Sequence, residues 1–188
     1  MYQNNKDADA TASKLDGHIN YYCNNDQLLN VLHEENVYSH YSNRKGELRY
    51  LLYFYEKRME DELEFDLTEF VNNEAEDDIT IEHIWPQSTD RLNLTEDEKE
   101  IHSEYKHRLG NLALMTGSWN SSESNQPFSI KKERYAQSKI RMLNKIAKEP
   151  DWGTEQISER EEDMLEFTLD RWADTKSEVK IERSSKLD

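Results

Sequence analysis

Two hydrophobic periods occur along this chain, and each predicts its own kind of element. Over 47–63, Leu48, Leu51, Leu52, Tyr55 and Met59 recur at i, i+3, i+4, i+7 and i+11, the single apolar stripe of a helix lying on a core. A shorter cluster, Leu28, Leu29, Val31 and Leu32, predicts a helix within 26–41. Asn43-Arg44-Lys45-Gly46 reads as the turn between them. The period changes at Ile79-Thr80-Ile81-Glu82-His83-Ile84, whose β-branched content predicts a strand, stopped by Pro86. Thr95-Glu96-Asp97-Glu98 is a capping box, in which Thr95 accepts from an open amide and Glu98 reaches back. The helix it opens is expected to run to about residue 108, with Gly110 at its C′ position. A second short strand is predicted over 111–115, followed by a turn at Thr116-Gly117-Ser118.

Further on, a short helix is expected from near Asn120 to Pro127. One basic helix follows, with Tyr135, Ile140, Leu143, Ile146 and Ala147 on its apolar side, until Pro150 and Gly153 break it. Thr154 caps a last helix in which Ile157, Met164, Leu165, Thr168 and Trp172 share a face. Residues 1–24 and 174–188 lack apolar periodicity and read as polar tails. The acid-rich stretch 60–78 has no EF-hand spacing and reads as a solvated face and loop. The expected fold is α+β and predominantly helical: one domain over 25–173 with a small two-stranded piece.

Composition narrows this picture. With 188 residues, 35% hydrophobic and 34% charged, the chain builds one soluble core of ordinary size. No apolar run approaches the roughly 18 residues of a membrane span, and no signal segment opens the chain, so the expected location is the cytoplasm. A single cysteine, Cys23, excludes an intrachain disulfide and a zinc site built on several thiolates. Net charge is −16, a field that repels nucleic acid. The charge is uneven, however. Residues 129–148 carry seven Lys/Arg against Glu133 alone, a local +6, which leaves −22 on the remainder.

The candidate chemistry sits at the strands. Hydrolysing a phosphodiester takes a base to activate the nucleophile and positive charge near the developing oxyanion. Histidine, with an ordinary pKa near roughly 6.5, can be that base. One hard cation held by a carboxylate and an amide oxygen can supply the charge. Glu82, His83 and Asn120 are the right residue types, and Asn111 can pin the intervening loop through its side chain. Each also has a plainer role: a structural histidine, a Gly-Asn turn, an N-cap. In a regular strand Glu82 and His83 point to opposite faces, so both serve one site only where the strand twists or ends.

Taken together, Ile81-Glu82-His83-Ile84-Trp85-Pro86-Gln87, Leu109-Gly110-Asn111-Leu112-Ala113-Leu114 and Asn120-Ser121-Ser122 resemble the HNH, or His-Me finger, nucleases. The closer resemblance is to the C-terminal nuclease domain of GmrSD-type, modification-dependent restriction endonucleases. It extends through Ser124, Asn125, Pro127, Phe128 and Lys131 to Trp152 and Ile157-Ser158-Glu159-Arg160, and covers roughly residues 45–173. The resemblance implies a ββα-metal finger embedded in a helical domain, acting as a DNA endonuclease in restriction or anti-phage defence. It implies His83 as general base, with Glu82 and Asn120 holding one Mg²⁺ or Mn²⁺. It further implies Asn111 as the residue that fixes the loop and orients His83, and Lys131, Lys132 and Arg134 as DNA-binding residues. As partner it implies DNA, together with a separate or missing N-terminal domain that hydrolyses nucleotides and senses modification.

Other candidates are weaker. His102 and His107 lie at i, i+5, about 140° apart on a helix, and read as structural or surface residues. With one Cys and no paired His, no structural zinc is expected. The rival reading is a catalytically silent, acidic helical interaction module. It accounts better for the net charge, but not for an acid-His pair, a Gly-Asn pair and an Asn falling in order beside both strands.

Overall fold

The computed structural model describes residues 25–41, 45–59, 79–116 and 125–172. Two short helices, α1 (Asn25–Leu32) and α2 (Val37–His40), stand where one was expected, and α3 (Lys45–Lys57) follows. Strand β1 (Ile79–His83) leads through a loop to α4 (Glu96–Tyr105), whose capping box forms as predicted: Glu98 N donates to Thr95 Oγ1 at 3.3 Å and Thr95 N to Glu98 Oε2 at 2.7 Å. A 3₁₀ turn, Leu109–Asn111, feeds β2 (Leu112–Thr116). The chain ends its described part with α5 (Phe128–Gln137), α6 (Arg141–Ile146) and α7 (Thr154–Trp172). The two expected tails, the acidic stretch 60–78, most of the turn near 43 and the short helix near 120 lie outside the described residues. No described helix is long and apolar enough to cross a membrane.

The architecture is mostly helical around one small sheet. β1 and β2 pair antiparallel, with His83 opposite Leu112, Glu82 opposite Ala113 and Ile81 opposite Leu114. β2 is buried from Leu112 to Met115, with α3 and α6 packed on it. The stripe on α3 buries Leu48, Leu51, Leu52 and Tyr55 as its period requires. Helix α7 buries Ile157, Met164, Leu165 and Thr168, and packs against the 3₁₀ turn. Trp172, expected on that face, stays about one-third exposed and meets Phe54 edge-on.

The basic segment departs from expectation. It is two helices, broken at Ser138, whose ψ of 149° is extended. The break is held by side chains: Asn144 Nδ2 donates to Tyr135 O and Ser138 O, each at 2.8 Å, and Ser138 Oγ accepts from Ile140 N. It is closed from across the fold by Glu56 of α3. That carboxylate, 1% exposed, accepts from Arg141 N at 2.5 Å and Met142 N at 2.8 Å, so it caps α6 in place of a local residue. Met142 in turn lies under β2, its sulfur 3.3 Å from Leu114 N.

Because Glu56 satisfies two otherwise open amides, its loss exposes both to a buried, dry setting. Glu56→Ala is expected to destabilise the domain by about 1–3 kcal/mol, and Glu56→Gln, which keeps one acceptor oxygen, by less. Urea denaturation of both variants checks the order; equal losses, or none, would contradict the capping role.

Candidate active site

Side chains of a strand alternate between faces, and β1 keeps to that rule up to its last residue. Glu82 turns toward α5. Its Oε1 accepts from Lys131 Nζ at 2.6 Å and from Tyr135 OH at 2.9 Å, and Lys131 Nζ also donates to His83 O at 2.7 Å. Glu82 and Lys131 are each 2% exposed, so this is a buried ion pair. Burial pushes the Glu82 carboxyl above its ordinary range, against the pull of the Lys131 ammonium and its hydrogen bonds.

His83 turns the other way, into a group of rings. Its Nε2 lies 3.1 Å from Nδ1 of His107, a hydrogen bond whose direction depends on the tautomers. Tyr38 of α2 meets the His83 ring edge-on at 4.5 Å and lies nearly parallel to His107 at 5.6 Å. Tyr38 N donates to His107 O, so α2 is tied to the segment after α4 by backbone as well as by rings. Burial, then Lys106 and His102, hold His107 below the ordinary imidazole range. At neutral pH it is therefore uncharged and can give or take one hydrogen with His83. The two histidines expected to be structural or surface residues thus part company. His102 is buried and its Nε2 donates to Pro86 O at 2.8 Å, whereas His107 adjoins His83. Register could have located it: Leu112 faces His83 across the sheet, and His107 lies five residues before Leu112.

Asn111 sits behind this group, fully buried, in the 3₁₀ turn and not at the strand's first position. Its Oδ1 accepts from Trp85 N at 2.7 Å and Trp152 Nε1 at 3.1 Å, and its Nδ2 donates to Trp85 O at 2.9 Å and Lys106 O at 2.8 Å. Ile84 N donates to Asn111 O at 3.0 Å. Trp85, two residues after His83, and Lys106, directly before His107, are therefore anchored to one carboxamide. Gly110 beside it was expected as a C′ glycine, but its backbone is not left-handed. Its role is space: a Cβ there would stand 1.9 Å from Ile157 O of α7. Arg160, one turn further on, donates to Gly110 O at 2.7 Å and Leu112 O at 2.8 Å.

The Glu82-His83 and Gly110-Asn111 motifs thus fall at one place in the fold, and comparison with known families agrees on the kind of domain. The sequence profile of GmrSD restriction endonucleases, C-terminal domain, matches residues 22–167. The chain belongs to this family. No curated protein matches it.

Several residues that the GmrSD resemblance assigned to the site stand elsewhere. Lys131 was expected to meet DNA; the structure places its ammonium buried on Glu82, on the side to which strand alternation turns that carboxylate. Lys132 Nζ donates to Glu149 O, and Arg134 is half-buried. Asn120, the second expected metal ligand, lies outside the described residues. Among the described residues, no three His, Cys, Asp or Glu side chains group as a metal site needs. Glu82 also does not fit as a ligand beside His83: it faces away, and its Oε1 is engaged by Lys131 and Tyr135. One further family residue is placed near the loop: Asn125 Oδ1 accepts from Ser88 N at 3.3 Å.

Two outcomes test this arrangement. Lys131→Met strands a buried carboxylate and is expected to cost about 3–5 kcal/mol in urea denaturation. Adding Glu82→Gln removes the stranded charge and should recover most of it; no recovery would show that Lys131 matters for something other than this pair. The second concerns pH. Burial lowers His102, with the Pro86 carbonyl pulling the other way, so on acidification the unfolded chain takes up the proton first and stability falls as pH drops through the ordinary histidine value. Between about pH 7.5 and 5.5 the melting temperature of His102→Gln is expected to fall less than that of the parent. Parallel curves would count against it.

Proposed function

We propose that the chain is a DNA endonuclease domain in which His83 is the general base. The reading is supported by family membership over residues 22–167. The observation that carries it is a hydrogen-bonded imidazole pair, His83 and His107, held at the end of β1 behind a loop that Asn111 anchors. In this reading β1, β2 and the helical segment after them form a His-Me finger. His83 takes a proton from the water whose oxygen bonds to the phosphorus, the bond to the leaving oxygen breaks, and that oxygen takes a proton from solvent. Asn111 acts as a positioning residue, since it reaches His83 through the backbone of Ile84 and Trp85. The GmrSD relationship further supports a role as effector of a modification-dependent restriction or antiviral system, working with a nucleotide-hydrolysing partner domain in the cytoplasm.

A requirement for one Mg²⁺ or Mn²⁺ belongs to this proposal as an outcome to be measured. Asn120 is the ligand expected for it, and Glu82 joins only by releasing Lys131. The proton step above is derived without the cation.

His83→Ala is expected to fold and melt cooperatively while strand scission of a supercoiled plasmid, assayed with Mg²⁺ or Mn²⁺, falls by roughly 10²–10⁴. Added imidazole is expected to restore part of the rate. A His83→Ala protein that nicks the plasmid as fast as the parent overturns the assignment and favours the silent interaction module.

A further inference from the structure

The cations of the basic segment do not all go to one place. Lys131 turns inward, and Lys132 meets a backbone carbonyl. Arg141, Lys145 and Lys148 face solvent from α6 and the turn that continues it. Spaced at i, i+4 and i+7, they fall on one side of a helix. They line a cleft of about 530 Å³ whose other walls are Arg58, Met59 and Asn144. Four of these six residues are cationic and none is acidic, in a chain of net charge −16. Arg58 pairs with Asp163, a carboxylate that the charge of Lys145 also favours, whereas Lys148 makes no ion pair among the described residues.

The wall that carries them is rigid. Glu56 caps α6 from α3, and Asn144 holds the preceding turn to α5 through two carbonyls. Beyond Met59 and Lys145 a second hollow of about 220 Å³ is lined in part by the acids Glu149, Glu159 and Asp163. An anion is therefore directed to the row from Arg141 to Lys148. Seven residues of helical rise make that row roughly 10 Å long, the axial reach of about three phosphates of one DNA strand.

We propose that Arg58, Arg141, Lys145 and Lys148 form a binding site for the phosphodiester backbone of DNA, apart from the His83 group. The proposal rests on the nuclease reading for its choice of ligand. It moves the DNA contact from Lys131 and its neighbours to α6.

The test uses the full chain and a short duplex, with divalent cations chelated so that binding is read without cleavage. In Lys145→Gln/Lys148→Gln the slope of log affinity against log salt is expected to be shallower by about 1.8, two phosphate contacts having been lost. Between about 50 and 200 mM salt the parent then loses roughly tenfold more affinity than the double variant. Lys99→Gln, which removes a cation of α4 paired with Glu96, is expected to keep the parent slope. A double variant with the parent slope, or a parent that does not bind the duplex, overturns the proposal. Plasmid scission on the same preparations separates the two readings. Cutting that requires His83 with an unaltered slope sinks the cleft and leaves the nuclease. An altered slope with no His83-dependent cutting leaves the cleft and sinks the nuclease.

Discussion

The carboxamide of Asn111 is the contact on which the candidate site depends. It has two donor hydrogens and two acceptor lone pairs, and all four are used on groups from three separate parts of the chain: Trp85, Lys106 and Trp152. No other side chain of similar size does this. Asp lacks the donors, Leu lacks both, and either would leave buried backbone groups open, at about 1–3 kcal/mol each. The geometric consequence is larger than the energetic one. Trp85 follows the strand that carries His83, and Lys106 precedes His107, so one side chain sets the spacing of two imidazoles it does not touch. Gly110 makes this possible by letting α7 approach to a distance that any Cβ would block.

A second constraint is the period of a β-strand. Adjacent residues point apart, so Glu82 and His83 are given different surroundings by the backbone alone. Glu82 meets an ammonium and a phenol in a dry setting, which favours a fixed ion pair with little freedom to exchange partners. His83 meets the Tyr38 ring edge-on and a second imidazole within hydrogen-bond distance. That difference bears on which of the two residues does chemistry. The acid of the acid-His motif is part of the scaffold that joins β1 to α5, while the histidine faces a second imidazole.

Much of the fold was legible because its signals are local. The stripe on α3 depends only on the sequence period, and the capping box around Thr95 on residues three apart. The two strands and their proximity to the motif residues were legible for the same reason. What escaped detection depends on contacts between distant residues. The break at Ser138 is fixed by Glu56, more than eighty residues away, and no helical propensity reports it. Lys131 looked like a surface cation because its neighbours are basic, yet its partner is on β1. His107 was set aside by its spacing from His102 along a helix, which is sound for two residues of one helix. Its partner is on a strand, and only the sheet register relates them.

These placements also bear on the apparent conflict between an acidic chain and a polyanionic substrate. Net charge governs approach at distances beyond the screening length, about 8–10 Å in physiological salt. Within that length, the local arrangement decides. A uniformly basic surface would hold any duplex in many orientations, with affinity set by salt alone. On an acidic body, a local cationic row that took the duplex would make encounter and orientation the same event. Of the seven cations in the basic segment, four follow the break at Ser138, and three of those, Arg141, Lys145 and Lys148, line the cleft. Glu56 therefore contributes twice: it closes the amides of α6, and it sets the direction in which Arg141 and Lys145 face.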